Sequence, residues 1–527
     1  MEMCAVTSHD ADTDQSYWLW KGPIFILILV IGFALRLYLA SVTVYLWDED
    51  RDWIVIAEKI SLQRGNFYLP IHDGQHPSFP AYFIKSGSIL LGDNPIGFRF
   101  FSLLAGISTI ILAFRLALEW TNPIVACWTA ALLAFNEYHI AVSILTTEKS
   151  FYLLFGMLAL YTFSRFLRTQ KPQYLYLSGI TVGCGFLCKY IITLFIPVFF
   201  AILLFPKYRH WLRRREPYIA LLFFIIVITP DLYWNLTRQP TEGSQAATIG
   251  DHFSRVGKLG FNRHYILFYG RDVVRAIYSF VGWELGDNAE EYPTMNPLFG
   301  VILLGGVLIV TFQNKQHDHI LKFLVLLFWT IFGFFTLLRP GTPSRNLDPV
   351  VWFWVDLTLL AAVLLVGYYL SRLQGKWRLL SYATTGAAAL YATVGVLVFH
   401  LGMPWFNVEL RPEFLWPPTG NMVEVRAKFH FCAACDADPK IELLDIVHKN
   451  ATHAERADAS DLEGVEWNTA DRVFRLRAAL DPGGGRRRYI VIYRITDNSG
   501  RVGHVRYRVD VPQETPRVFP EPFWARN

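Results

Sequence analysis

Charged residues are scarce in this sequence. Asp, Glu, Lys and Arg make up 18% of its 527 residues, whereas soluble globular proteins contain about 25%. Hydrophobic residues make up 53% and aromatic residues 16%. A soluble chain of this length needs more charged side chains to cover its surface. The composition therefore excludes a wholly soluble protein, and it equally excludes a disordered or fibrous one.

Cysteine is also scarce, since the chain has only six, and this excludes a disulfide framework. Cys432 and Cys435 form a CxxC pair, but a second pair is missing, so we expect no structural zinc site. Whether the pair is oxidised stays open at the sequence level. The chain also lacks a Gly-rich phosphate loop of the P-loop or Rossmann type, which argues against a nucleotide-dependent enzyme of those classes.

Long apolar runs fill residues 23–403, and a membrane helix needs about 20 mostly apolar residues. We therefore predict a polytopic α-helical membrane domain with about eleven spans. The predicted spans are 24–46, 96–118, 122–140, 149–167, 174–189, 190–206, 217–235, 296–312, 319–338, 349–371 and 378–403.

The basic residues predict the orientation of these spans. They cluster in the short links at 165–171, 207–215 and 372–378, and such clusters face the cytoplasm under the positive-inside rule. This also accounts for the net charge of +5 without a nucleic-acid partner. The N-terminal tail, 1–22, is then cytoplasmic, and the region 404–527 lies on the outer side.

Two long loops, 47–95 and 236–295, are predicted on the same outer side. The tail alternates apolar and polar residues, as half-buried strands do. The alternating segments are MVEVRAKFHF, KIELLDIV, VFRLRAAL, RRYIVIYRIT and HVRYRVDV. Turn signals such as DPGGG and DNSG separate them. We predict an all-β domain over 404–527, an Ig-like sandwich of five to seven strands.

The first outer loop opens with a dense group of acids, Trp47-Asp48-Glu49-Asp50-Arg51-Asp52. One interpretation is a solvated helix end, where carboxylates are favoured by the dipole of the following helix. The other is a catalytic site, in which a carboxylate deprotonates an acceptor hydroxyl. On a helix, Asp48 and Arg51 share a face, so the Arg can hold a phosphate beside the working carboxylate.

Other polar residues are candidates because they fall on the predicted outer side. His76 lies between prolines in the first loop, Glu148 opens the fourth predicted span, and Lys189 separates the fifth from the sixth. Each is also compatible with an ordinary exposed or interfacial residue. His252 and Arg345 are weaker candidates.

Two charged residues, Arg36 and Asp356, lie inside predicted spans. A charge at the centre of a bilayer costs about 2.5–3.5 kcal/mol on insertion scales. We therefore expect both to face the interior of the helix bundle, where either has a structural role or a functional one.

The order of these motifs resembles a known family over residues 20–370. The segments that carry the resemblance are Asp48-Glu49-x-Arg51, His76-Pro77, GDNPIGFRFFSLLAGISTIILAFRLA from Gly92, Glu148 at a helix start, GCGFLCKY from Gly183 and TPDLYWN from Thr229. They resemble the C-type (GT-C) polytopic glycosyltransferases. The most similar branch contains the dolichyl-phosphate-mannose protein mannosyltransferases and the bacterial aminoarabinose transferases.

The resemblance implies roles for the candidate residues. It makes Asp48 the catalytic base and Glu148 a second acid of the site. It gives Arg51, Lys189 and His76 contacts to the lipid phosphate. Glu49, His252 and Arg345 complete the set of candidate substrate-binding residues.

The resemblance implies no certain cofactor. In the aminoarabinose branch, a Glu that helps to bind a metal stands where this chain has Gln75. Gln is a poor replacement for that Glu, so a divalent metal stays an open alternative and no residue is assigned as its ligand.

The implied function is that of an inverting glycosyltransferase. It moves a sugar from a polyprenyl-phosphate carrier to an acceptor hydroxyl on a lipid, protein or polysaccharide at the outer face of the membrane. The tail resembles bacterial Ig-like modules, which implies a bacterial inner membrane. The alternative function is a lipid or solute transporter with an exported β binding module. Transporters concentrate their ionisable residues near the membrane midplane, whereas here these residues gather at the predicted outer face.

Overall fold

A computed structural model describes most of the chain. The described residues are 11–42, 53–54, 56–57, 60, 77–237, 297–313, 319–338, 352–373, 375–402, 406–412, 414–431, 439–449, 454–480, 487–496 and 502–511. They form two compact units, a helical unit that ends at Phe399 and a β unit within His400–Asn527. Each unit is described separately.

The helical unit consists of α-helices joined by short links. The helices are α1 (Ala11–Val42), α2 (Phe79–Leu91), α3 (Pro95–Trp120), α4 (Pro123–Ala134), α5 (Glu137–Ser143), α6 (Lys149–Thr169), α7 (Pro172–Phe186), α8 (Phe195–Leu203), α9 (Glu216–Thr237), α10 (Pro297–Gln313), α11 (His319–Leu338), α12 (Trp352–Arg372) and α13 (Gly375–Gly402). Short 3₁₀ segments cover Tyr190–Leu194 and Arg209–Arg213.

Asn-Pro pairs set the starts of two helices. The side chain of Asn94 accepts a hydrogen bond from Gly97 N at the start of α3, and Asn122 does the same for the first amides of α4. Each Asn is followed by a proline, whose fixed φ suits the first helical position. These caps explain why the predicted second and third spans begin within a residue or two of the observed helices.

Four described helical segments are long and apolar enough to cross a membrane. They are Gly22–Ser41, Pro95–Trp120, Lys149–Thr169 and Glu216–Trp234. The protein is therefore an integral membrane protein built mainly from apolar helices. The prediction of about eleven spans is not settled by the described residues and stays a prediction.

The third predicted span, 122–140, is broken. Helices α4 and α5 meet at an angle of 63°, and the break falls at Phe135–Asn136, where Asn136 caps α5 through His139 N. Local capping therefore overrides the continuous apolar pattern, because the Asn side chain satisfies an amide of a new helix.

The fifth and sixth predicted spans are also shorter than expected. Helix α7 ends at Phe186, and the chain resumes with the 3₁₀ segment Tyr190–Leu194 before α8. The boundary near Lys189 is nevertheless where the sequence placed it. Helix α2 was not predicted, since it falls in the predicted outer loop 47–95. Pro80 lies in the first turn of α2, where a proline is tolerated.

Close helix packing depends on small residues. A Cβ atom at Gly179 would overlap the carbonyl oxygen of Ala220, and one at Gly183 would overlap the side chain of Val227. The two glycines are four residues apart on α7 and face α9. This is the small-xxx-small arrangement by which membrane helices approach closely.

Arg36 is fully buried in the helix bundle, which confirms the prediction that it faces the interior. Its Nη1 donates to Ala134 O at 2.8 Å, and its Nη2 lies 2.9 Å from Nδ1 of His139. The guanidinium thereby satisfies a carbonyl at the end of α4 that has no partner within the helix. Arg99 of α3 makes a similar contact with α1, because its Nη1 donates to Ala40 O at 2.7 Å. The side chain of Asp356 lies outside the described residues.

The β unit contains two four-stranded sheets in its described part, with strand orders β1-β2-β6-β5 and β4-β3-β7-β8. All of the paired strands are antiparallel. The strands are β1 (Phe406–Arg411), β2 (Met422–Phe431), β3 (Lys440–Lys449), β4 (Ala454–Arg456), β5 (Leu462–Glu463), β6 (Val473–Arg477), β7 (Arg487–Thr496) and β8 (Val502–Val511).

Each of the five predicted strand segments overlaps an observed strand, and β2 and β7 match their predicted ranges to the residue. Strands β4 and β5 are three and two residues long, too short for an alternating pattern to be detected. One apolar cluster takes residues from both sheets, including Leu410, Phe474, Ile446 and Val491. The β unit therefore has a hydrophobic core of its own.

Buried tyrosines connect the two sheets. Tyr489 of β7 donates its hydroxyl to Arg477 O at 2.9 Å, and Tyr493 donates to Asp471 O at 2.9 Å. Beside them, Asp461 pairs with Arg487 at 2.8 Å and with Arg477 at 3.2 Å. The polar groups at this corner of the unit are thus paired across the sheets.

Because of these buried tyrosines, we expect the free energy of unfolding of the β unit to fall at alkaline pH. Burial raises the pKa of Tyr489 to about 12 from its usual 10. Because folding raises this pKa, the contribution of Tyr489 to stability is complete below pH 10 and is lost as the pH approaches 12. The loss is about 2 kcal/mol for one such tyrosine. Urea unfolding of residues 404–527 at pH 9 and pH 11.5 measures it, and Tyr489→Phe should show a smaller pH dependence than wild type.

Candidate active site

The turn that precedes α6 is polar and buried. Thr146, Thr147, Glu148 and Lys149 are each at most 7% exposed. Buried polar groups are costly unless they are hydrogen-bonded or paired. A polar turn enclosed by apolar helices is therefore the first place in the described chain to look for chemistry.

Glu148 and Lys189 form an ion pair inside this region. Lys189 Nζ lies 2.6 Å from Glu148 Oε1, and the two side chains are 10% and 9% exposed. The residues are 41 positions apart in the sequence, and both were predicted as site residues. The structure brings together these two members of the predicted site.

The backbone around Lys189 explains how its side chain reaches the pair. After α7 ends, Lys189 adopts an extended conformation, and its amide donates to Gly185 O at 2.8 Å. A Cβ atom at Gly185 would overlap Cδ1 of Ile192, so the absence of a side chain at Gly185 lets the 3₁₀ segment pack closely against the end of α7. The break between α7 and the 3₁₀ segment thereby places an ammonium in the interior.

An aromatic side chain and a neighbouring helix complete the surroundings. Tyr152, one turn after Glu148 on α6, has its ring centroid 5.5 Å from Lys189 Nζ, within the range of a cation–π contact. The N-terminus of α2 lies beside the break, because Phe79 N donates to Leu187 O at 3.3 Å. Three segments that are distant in the sequence therefore meet at the break that contains Lys189.

A second polar pair lies next along the chain. Tyr190 donates its hydroxyl to Asp231, with oxygen separations of 3.2 and 3.4 Å, and Asp231 is fully buried in α9. The sequence interpretation missed both residues. The available signal was an ionisable residue within an apolar helix, which is also the signal that identified Arg36.

The arrangement suits the binding of an anionic group. The Lys189 ammonium donates a hydrogen bond to Glu148, and at low dielectric its charge acts more strongly than in water. In protein kinases a Lys held by a Glu contacts the substrate phosphates, so a Lys–Glu pair is compatible with phosphate binding. Among the described residues, no group of three or more His, Cys, Asp and Glu side chains lies close enough together to hold a metal ion.

Several predicted residues fall outside the part of the chain that the structure describes. They are Asp48, Glu49, Arg51, Gln75, His76, His252, Arg345, Cys432 and Cys435, together with the loop 236–295. Their roles remain predictions.

Known proteins resemble this chain in sequence and in fold. A family model for dolichyl-phosphate-mannose-protein mannosyltransferases matches residues 75–234, a stretch that includes both Glu148 and Lys189. The lipid A galacturonosyltransferase RgtD of Rhizobium johnstonii is 25% identical over 236 residues, which are 44% of this chain and 47% of that protein. This chain thus spans about half the length of that relative.

A solved structure extends the likeness to the fold. ArnT of Cupriavidus metallidurans, determined with bound undecaprenyl phosphate, superimposes with a TM-score of 0.52 over 72% of this chain and 70% of ArnT, at 14% identity. The chain has the C-type glycosyltransferase fold. The resemblance that the sequence motifs indicated is thereby confirmed. Within the GT-C fold, the Glu148–Lys189 pair lies in the segment that the mannosyltransferase model matches.

Proposed function

We propose that this protein is a membrane glycosyltransferase that moves a sugar from a polyprenyl-phosphate carrier to an acceptor hydroxyl. The observation that carries the proposal is the buried Glu148–Lys189 pair, which lies inside the segment matched by the mannosyltransferase family model. Arg36 and Arg99 are also buried, but they contact backbone carbonyls, whereas Lys189 pairs with a carboxylate. Paired ionisable residues inside a membrane helix bundle typically mark functional sites.

The proposed reaction inverts the anomeric carbon. Asp48 takes the proton of the acceptor hydroxyl while the acceptor oxygen forms a bond to the anomeric carbon. The bond between that carbon and the phosphate oxygen breaks, and its electron pair stays on the phosphate. Arg51, His76 and Lys189 stabilise the charge that develops there. The donor supplies its own leaving group, so the reaction needs no nucleotide.

Glu148 has a separate role in this proposal. It holds the Lys189 ammonium at a fixed position, so that a donor phosphate finds the cation already oriented. Preorganised charge of this kind requires no rearrangement during the reaction. Glu49, His252 and Arg345 are proposed to contact the substrates.

The proposal extends to the membrane arrangement. It places about eleven spans in a bacterial inner membrane, the N-terminus in the cytoplasm, and both the site and the β unit on the outer side. The strand orders of the two sheets correspond to A-B-E-D and C′-C-F-G of an immunoglobulin domain. This correspondence supports the proposal that the tail is an Ig-like module.

The names of the relatives favour particular substrates. RgtD is a lipid A galacturonosyltransferase, and the ArnT structure contains undecaprenyl phosphate. We therefore propose an undecaprenyl-phosphate sugar as donor and a lipid as the first acceptor to test, before proteins and polysaccharides.

The test is a comparison of envelope glycolipids and glycoproteins in a strain that lacks the gene. Complementation with wild type should restore one sugar modification, and complementation with Asp48→Asn should not, while both proteins insert at equal levels. The opposite result would be a strain that accumulates the sugar-bearing carrier on the inner side of the membrane while its extracts, which lack this protein, still transfer the sugar. That result would indicate a transporter.

A further inference from the structure

Two buried hydroxyl groups lie on segments that adjoin those of the ion pair. Ser78 and Tyr152 are fully buried, and neither the Ser78 Oγ nor the Tyr152 hydroxyl has a partner among the described residues. Nearly all buried polar side chains in folded proteins have a partner. Two that lack one, beside a buried charge, therefore require an explanation.

Their positions relate both of them to Lys189. Tyr152 lies on the same face of α6 as Glu148, since four residues separate them, and its ring contacts the Lys189 ammonium. Ser78 directly precedes Phe79, whose amide donates to Leu187 O. Leu187 belongs to the break between α7 and the 3₁₀ segment and is two residues before Lys189. Ser78 therefore adjoins this break.

Other buried hydroxyls in the described chain also lack hydrogen-bond partners, so a missing partner alone does not indicate a ligand site. Ser164 is one of them, but it lies 16 residues after Glu148 on the same helix, about 24 Å along the axis. Tyr138 is another, and it belongs to α5. Ser78 and Tyr152 differ because the ring of Tyr152 contacts the Lys189 ammonium and because Ser78 adjoins the break that precedes Lys189.

The chemistry of the group indicates what it binds. The ammonium of Lys189 and the two hydroxyls are all hydrogen-bond donors, whereas the carboxylate of Glu148 already accepts from Lys189. A ligand that satisfies the two hydroxyls must present acceptor oxygens, and beside the Lys189 ammonium it is favoured if it is negatively charged. A phosphoryl group has both properties, and hydrogen bonds to ionised oxygens are stronger than neutral ones.

We propose that Ser78 and Tyr152 donate their hydroxyl hydrogens to phosphoryl oxygens of the lipid carrier and, with Lys189, form its phosphate site. The inference rests on the proposed function, because it assumes a polyprenyl-phosphate donor. It adds two uncharged donors to a site that the sequence motifs assign to charged residues alone. It also explains why these hydroxyls have no hydrogen-bond partner among the described residues.

The experiment measures binding of undecaprenyl phosphate to the full-length protein in detergent. Tyr152→Phe and Ser78→Ala should each weaken affinity about 10-fold, which corresponds to about 1.4 kcal/mol. Without lipid, both variants should unfold at the wild-type temperature or higher, because an apolar group replaces an unsatisfied hydroxyl. Tyr138→Phe and Ser164→Ala are the matched controls, and their affinities should not change.

The outcomes separate this inference from the proposed function. If the wild-type protein does not bind undecaprenyl phosphate, the proposed function itself fails. If wild type binds while Tyr152→Phe and Ser78→Ala bind equally well, the phosphate site lies elsewhere and only this inference is overturned. Undecaprenol, which lacks the phosphate, provides the last check. An equal loss of affinity for undecaprenol in both variants would show that the hydroxyls contact another part of the lipid.

Discussion

Replacing Asp48 by Asn should reduce turnover by about 100-fold or more, because general-base catalysis contributes roughly that factor. The substitution preserves the size of the side chain and removes its ability to accept a proton. Donor affinity should change little, because Arg51, His76 and Lys189 remain. Single-turnover transfer from a labelled polyprenyl-phosphate sugar, with purified protein in lipid vesicles, measures both quantities.

Neighbouring acids supply the controls for Asp48. Glu49→Gln and Asp52→Asn remove a carboxylate from the same segment, and their effects should be milder. Glu148→Gln tests the second acid of the site. If Asp48→Asn keeps near-normal turnover while Glu148→Gln abolishes it, the base is Glu148 and the proposed mechanism must be revised.

Removing one partner of the Glu148–Lys189 pair should destabilise the protein by about 3 kcal/mol, since an unpaired buried charge is left behind. Lys189→Met should therefore lower the apparent unfolding temperature in detergent. The double variant Glu148→Gln/Lys189→Met should recover most of that loss, because it removes both charges. Neither variant should transfer sugar at the wild-type rate.

A more exposed ion pair offers a matched comparison. Arg165 lies 2.8 Å from Glu119, and the two side chains are 32% and 17% exposed. Pairs of this kind contribute at most about 1 kcal/mol, so Arg165→Met should lower the unfolding temperature much less than Lys189→Met. Equal losses in the two variants would contradict the view that Lys189 is held in a low-dielectric interior.

The sequence predicted the class of fold better than it predicted the breaks in the helices. Apolar runs such as 96–118 are detectable because the bilayer sets their length and composition. The bend at Phe135–Asn136 is not, because a single Asn cap interrupts a run whose composition is uniformly apolar. Similarly, Pro80 has opposite consequences in the middle of a helix and in its first turn, and the sequence alone did not show which applied.

For the site, the sequence identified the charged residues and missed their neutral neighbours. Glu148 and Lys189 are conspicuous because charge is rare in apolar segments. Ser78, Tyr152 and Tyr190 are ordinary residues for a membrane helix end, and only the contacts around Lys189 distinguish them. Asp231 carried a visible signal that was overlooked, as a carboxylate within the apolar run of α9.

The two arginines that hold α1 have a consequence for how related sequences vary. Arg36 and Arg99 bond to the carbonyl oxygens of Ala134 and Ala40, and every residue type offers such an oxygen. Evolution can therefore exchange the side chains at positions 40 and 134 without breaking these bonds, whereas the arginines have no substitute with the same reach and geometry. Covariation between each arginine and the residue whose carbonyl oxygen it contacts should be absent, and relatives should keep Arg36 and Arg99.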